Sequence, residues 1–277
     1  MRFASILRDG RPAAAAVVGD QAVPLDGIAE LGAATPTEVL RDPPLLEAAA
    51  VPLANVQLRP VVPRPSKVIC VGLNYHAHIE ETKREVPEYP VLFTKFASSL
   101  AGPNDPILLP SESAEVDYEG ELAVVIGSPA RRVSKDDAPG FVAGYTLAND
   151  VSMRDFQFKT HQWLQGKAWD RATPLGPHLV TPDEVPDPQA LELRVTVNGD
   201  EVQRATTDLM IFDVATVISM VSEFATLEPG DVILTGTPSG VGMAREPQLW
   251  LTDGDVVVVE VDGVGRLESV AQRESGA

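Results

Sequence analysis

The chain has 277 residues, room for one large domain or for one domain with a small appendage, and 44% of them are hydrophobic, enough for a substantial core. A formal net charge of −18 argues against nucleic acid and against an anionic membrane surface as partners, since both need a basic face. No apolar run approaches the ~20 residues of a membrane span, charge interrupts the opening Met1–Asp9 stretch too early for a signal peptide, and Cys70 is the only cysteine, so the sequence reads as a cytoplasmic chain without an intrachain disulfide.

Residues 2–7 and 12–18 are short β-like runs separated by the turn signal Asp9-Gly10-Arg11. Residues 26–50 are Ala-rich, with helix-like pieces broken at Pro36, Pro43 and Pro44. Pro60, Pro63 and Pro65 then mark a linker or extended crossing, and the expected boundary falls there: a small N-terminal domain over 1–62 and a catalytic domain over 63–277. Beyond it the predicted strands are 68–71, 91–95, 121–126, 191–197, 232–235 and 256–261, with a hairpin signal at Asn198-Gly199. The predicted helices are 76–84, 152–160 with Ser152 as N-cap, and 213–224. Many strands with scattered helices point to α+β, not to a regular βαβ alternation.

The sharpest chemical signal is Glu115-Val-Asp117-Tyr-Glu119-Gly-Glu121, running into an apolar strand. Strand alternation predicts Asp117, Glu119 and Glu121 on one face. Such like charges repel and are expensive to bury unless a cation neutralises them, although a solvated acidic edge strand has the same pattern. Asp150, at the end of a second β-like run, adds another carboxylate. An all-oxygen donor set without thiolates suits Mg²⁺ or Mn²⁺ over Zn²⁺.

Two imidazole–carboxylate pairs compete on the predicted helix after residue 75. They are His78 with Glu81 at i, i+3 and His76 with Glu80 at i, i+4. An ordinary charged surface helix also accounts for them. Lys95, in apolar surroundings, and Lys167, in Gly-Lys167-Ala-Trp-Asp, are candidates to meet a substrate carboxylate or an enolate. Thr235-Gly-Thr237-Pro-Ser-Gly-Val-Gly242 is a Gly-rich loop whose amides can approach an anion; it has neither the P-loop Lys-Ser/Thr nor a Gly-x-Ser-x-Gly elbow. Cys70, inside Val-Ile-Cys-Val, reads as a small buried hydrophobe.

In this order, Gly-Leu-Asn-Tyr with His78 and Glu81, Leu-Phe-Thr-Lys95, Val-Asp-Tyr-Glu119-Gly-Glu121-Leu, Asn-Asp150-Val-Ser-Met-Arg-Asp, Gly-Lys167, Pro-Leu-Gly-Pro and Thr-Gly-Thr237-Pro-Ser-Gly-Val-Gly make the chain resemble the fumarylacetoacetate hydrolase family, in its bacterial acylpyruvase and oxaloacetate decarboxylase-like branch, over roughly residues 66 to 270. The resemblance implies a mixed β-roll with a small N-terminal α/β appendage, and a homodimer. It implies Glu119, Glu121 and Asp150 as ligands of Mg²⁺ or Mn²⁺, and His78 with Glu81 as a water-activating dyad on a mobile lid from about His76 to Tyr89. Lys167, Gln157 and Thr237 would contact the oxo-acid end of a small 2-oxo acid substrate, with Lys95 lining the site. The expected reaction is hydrolysis of a C–C bond in a 2,4-dioxo acid through a metal-stabilised enolate. Oxaloacetate decarboxylation, and hydratase or isomerase chemistry on an unsaturated 2-oxo acid, share that enolate. A non-catalytic metal-dependent small-molecule binder would keep the carboxylates without needing a base.

Overall fold

A computed structural model describes residues 1–274. Two sheets carry the molecule, in keeping with the strand-rich α+β expectation. The larger, mixed sheet runs in the order Val51–Pro52, Gln21–Pro24, Arg11–Val18, Arg2–Arg8, Thr173–Val180, Val142–Asn149, Gly120–Ile126, Val232–Leu234, Val68–Gly72, Val91–Lys95. The second has the order Asp200–Thr206, Glu192–Val197, Val256–Val261, Gly265–Arg273, Ile107–Leu109. Val-rich runs supply both, because β-branched side chains pack well on a pleated surface.

The strand Gly120–Ile126 is buried along its whole length, and alternation sends its side chains into two cores. Leu122, Val124 and Ile126 meet Val195, Val257 and Val259 of the second sheet; Ala123 and Val125 meet Cys70, Ala148 and Leu234 on the opposite face. At Gly120 the second sheet packs directly over the strand, where no side chain would fit. A Cβ there would lie 2.3 Å from Val195 and 3.1 Å from Val259. The helix Val214–Phe224 adds Val214, Val217, Ile218 and Val221 to the first core, and its N-cap Asp213 accepts from the Thr216 N–H at 2.7 Å.

Residues 1–62 continue the large sheet: Arg2 and Phe3 pair with Val180 and Leu179. Only one short α-helix, Thr37–Arg41, forms in the Ala-rich stretch. The proline-rich crossing is extended and buries Val61 and Val62; Val61 N–H donates to Leu175 and its carbonyl accepts from Ser5.

The expected helix over 152–160 is replaced by a two-residue strand, Ser152–Met153, paired with Val116–Asp117, then a single turn, Arg154–Gln157, and a second one, Leu164–Lys167. Strand pairing overrides the cap signal: the Ser152 hydroxyl donates back to the Asp150 carbonyl at 2.9 Å and caps nothing. No helix among the described residues is long and apolar enough to cross a membrane.

Candidate active site

Antiparallel pairing assembles the acidic centre. Gly120 pairs with Asn149, so Glu119 and Asp150 flank the last rung, where Asp150 N–H donates to the Glu119 carbonyl at 2.8 Å. Glu121, two residues on, returns to the Glu119 face. One oxygen from each of Glu119, Glu121 and Asp150 lies within 4.8 Å of the others, and all three residues are buried. Asp117 does not join them. The strand breaks after it, and its carboxylate accepts from Arg154 and from the N–H groups of Gly242 and Met243.

Three buried cations answer these charges unevenly. Lys167 Nζ lies 2.7 Å from Glu119 Oε2 and 2.9 Å from Asp150 Oδ2. Lys95 Nζ lies 2.6 Å from Asp150 Oδ1, and Arg154 Nη2 bridges Glu119 Oε1 at 2.7 Å and Asp117 Oδ2 at 2.8 Å. Among the described residues, Glu121 has only the Gly236 N–H, at 2.7 Å on Oε2. Its carboxyl is consequently raised well above the ordinary range, by burial and by the negative Asp150 and Glu119. Burial also works against an ionised Glu119, but Lys167, Arg154 and His78 outweigh it and hold that carboxyl down at about 2. A divalent cation fits this donor set: it supplies the positive charge that Glu121 lacks, to hard oxygen ligands. Cys70 lies close by but is fully enclosed, its thiol pushed up by burial and by Asp150.

The His78–Glu81 pair expected from the sequence is in contact. His78 Nδ1 lies 2.7 Å from Glu81 Oε1, and Glu81 Oε2 accepts from the Gly240 N–H at 2.8 Å. The short helix His76–Glu81 buries His78 and leaves His76 and Glu80 exposed, which separates the two competing pairs. The Gly-rich loop therefore turns its amides to the protein's own carboxylates: Gly236 to Glu121, Gly240 to Glu81, Gly242 to Asp117. Gly236 (φ +101°) and Gly240 (φ +105°) hold left-handed conformations, and a Cβ on Gly240 would sit 2.0 Å from the Val202 carbonyl oxygen.

His78, Glu119, Glu121, Lys167, Gln157 and Thr237 line one cavity, together with Arg154 and an apolar wall that includes Val71, Phe93, Trp163 and Met243. Gln157 Oε1 accepts from Arg154 at 2.8 Å; Thr237 Oγ1 accepts from Gln203 at 2.8 Å and donates to the Gly120 carbonyl at 3.1 Å. Lys95 is not on this wall: its ammonium is taken up by Asp150 and by Thr173 Oγ1 at 2.7 Å. Arg154 escaped the sequence reading, although its position four residues after Asp150, in a strongly acidic chain, was a usable signal.

Residues 67–271 match the family model described as Fumarylacetoacetate (FAA) hydrolase C-terminal. The chain belongs to the fumarylacetoacetate hydrolase family. A family relative from Xenopus laevis, named as a mitochondrial oxaloacetate tautomerase, is 49% identical over 218 residues, covering 78% of this chain and 68% of its own length. Among solved structures of the family, a 2-hydroxyhepta-2,4-diene-1,7-dioate isomerase from Mycobacterium marinum matches with a TM-score of 0.84 at 37% identity, over 100% of both chains. A maleylpyruvate hydrolase from Sphingobium sp. SYK-6 matches with a TM-score of 0.79 at 31% identity, over 99% of this chain and 100% of that one.

Proposed function

We propose that this family member is a divalent-metal-dependent tautomerase of a small 2-oxo diacid of the oxaloacetate type, interconverting keto and enol forms. The observation that carries the reading is a single proton-handling group, His78 held by Glu81, on the wall of the cavity that also exposes Glu119 and Glu121. A 1,3-proton shift needs one base and a means of stabilising the enolate, and nothing more. The 49% identity to a relative named as an oxaloacetate tautomerase supports the substrate class.

Glu119, Glu121 and Asp150 would hold Mg²⁺ or Mn²⁺, which when bound supplies Lewis-acid stabilisation of negative charge on a 2-oxo oxygen. His78 Nε2, the ring nitrogen that Glu81 leaves free, takes a proton from C3. The C–H electron pair becomes the C2–C3 π bond, and the carbonyl π pair moves onto oxygen. The imidazolium, stabilised by Glu81, then returns the proton to that oxygen; the reverse sequence regenerates the ketone. Lys167 holds Glu119 and Asp150 in place. Phe93, Trp163 and Met243 keep water from the enolate.

A second reading is C–C hydrolysis of a 2,4-dioxo acid, with the same pair deprotonating water. The likeness to a maleylpyruvate hydrolase favours it. The deciding experiment follows ketonisation of enol-oxaloacetate by ultraviolet absorbance, with Mg²⁺, with chelator, and in His78→Ala. Pyruvate release from an acylpyruvate is assayed in parallel. The tautomerase reading expects ketonisation that both the chelator and the substitution suppress. Pyruvate release with ketonisation at the uncatalysed rate would replace it with the hydrolase.

A further inference from the structure

The cavity carries a third cation, and it differs from the other two. Arg154 and Lys167 are buried and committed to Glu119, Asp117 and Asp150. Arg84 also lines the cavity, but it is exposed and enters no ion pair with any carboxylate of the described residues. It faces an aromatic ring: the guanidinium carbon stands 5.7 Å from the ring centroid of Phe158, which lines the same cavity.

The backbone explains how it gets there. The helix His76–Glu81 ends with the Thr82 hydroxyl donating to the His78 carbonyl, and Lys83 follows in the left-handed conformation at φ +54°. That turn folds the chain back, and the Arg84 N–H donates to the Ile79 carbonyl at 3.0 Å. Arg84 thereby shares the cavity with His78 although it lies six residues further along the sequence. In a chain of net charge −18, an unpaired guanidinium at a cavity wall is a local exception to the surrounding field. A guanidinium offers a planar, paired donor face that matches a carboxylate, and its stacking on Phe158 restricts its orientation.

We propose that Arg84 reads the second carboxylate of the substrate, the one remote from the 2-oxo acid end, and so selects diacids over monoacids. The inference rests on the tautomerase reading for the identity of the diacid, but it is tested by binding and stands or falls separately. The probes are oxaloacetate and pyruvate, which share the 2-oxo acid end and differ in the distal carboxylate. Affinities for both are measured on the Mg²⁺-loaded protein by stopped-flow quenching of tryptophan fluorescence, in wild type, Arg84→Gln and Arg84→Lys.

The expected result is a preference for oxaloacetate over pyruvate that falls roughly fivefold in Arg84→Gln, the upper end for one exposed ion pair, with Arg84→Lys in between. Pyruvate affinity should move little. An unchanged preference in Arg84→Gln, or an equal loss for both ligands, would overturn the proposal. If wild type binds oxaloacetate preferentially through Arg84 yet does not accelerate ketonisation, the tautomerase reading fails while the role of Arg84 stands.

Discussion

Glu119, Glu121 and Asp150 hang from the ends of two strands buried at every position, Gly120–Ile126 and Val142–Asn149. His78 and Glu81 reach the same cavity from a six-residue helix whose other residues include the exposed His76 and Glu80, followed by a largely exposed stretch to Tyr89. The first region is held by the core of the molecule, with four carboxylates set against three cations out of water. The second is held by few contacts, chief among them the Glu81–Gly240 hydrogen bond. Substitutions in the carboxylate cluster should therefore change stability and activity together, whereas substitutions on the helix should change activity alone.

The largest effect is expected from Asp150→Asn, which should bring metal-dependent activity to background and abolish the heat of Mg²⁺ or Mn²⁺ binding in calorimetry. Tight metal binding in that variant would remove the cluster from the chemistry. Next, His78→Ala should lower turnover by ~10²–10⁴-fold, the usual contribution of a general base, while leaving the melting temperature nearly unchanged. A large drop in melting temperature would break the contrast between the two regions. Lys167→Met should destabilise the metal-free protein by roughly 3–5 kcal/mol in denaturant unfolding, because it strips Glu119 and Asp150 of a shared buried partner.

A pH test sharpens the same contrast. The folded protein holds Glu121 protonated to a higher pH than the unfolded chain does, since its carboxyl is raised above the ordinary value of 4.5. Between that value and the raised one, the folded state binds more protons, so the metal-free protein loses stability as pH rises, by up to about 1.4 kcal/mol per pH unit. Glu121→Gln should flatten this slope in chelator, read as melting temperature as the pH is raised above 4.5. An unchanged slope would place the strain elsewhere in the cluster. The smallest effect belongs to His76→Ala, whose exposed ring should leave turnover as it is.

Apolar runs and caps made much of this legible in the sequence. The strands Val68–Gly72, Val91–Lys95 and Val256–Val261 and the helix Val214–Phe224 lie within a residue of expectation, because apolar β-branched runs and the Asp213 cap leave local marks. The convergence of Glu119 and Glu121 followed from alternation, and their meeting with Asp150 from resemblance. What stayed hidden depended on pairing between distant segments. Nothing local in Ser152 announces its partner Asp117, so a cap signal was read where a strand forms. Lys95 stands out by its apolar surroundings, but its pairing with Asp150, like that of Arg154 with Asp117 and Glu119, exists only once the fold brings those carboxylates to it, and the loop amides of 236–242 acquire meaning only opposite Glu121, Glu81 and Asp117.

That loop touches both regions at once, and its backbone leaves it almost no freedom to change. Gly240 cannot accept a side chain without meeting the Val202 carbonyl, and Gly236 is confined by the Val71 carbonyl and Asn74. Since it fixes Glu81 and Glu121 through main-chain donors, it acts as a ruler between the His78–Glu81 pair and the acidic centre whose length is written in the backbone and not in any replaceable side chain. On the proposed reading of Arg84, selectivity would then be set on the far side of the ruler, in the exposed stretch that follows Glu81, and could change there with the spacing between His78 and the carboxylates left untouched.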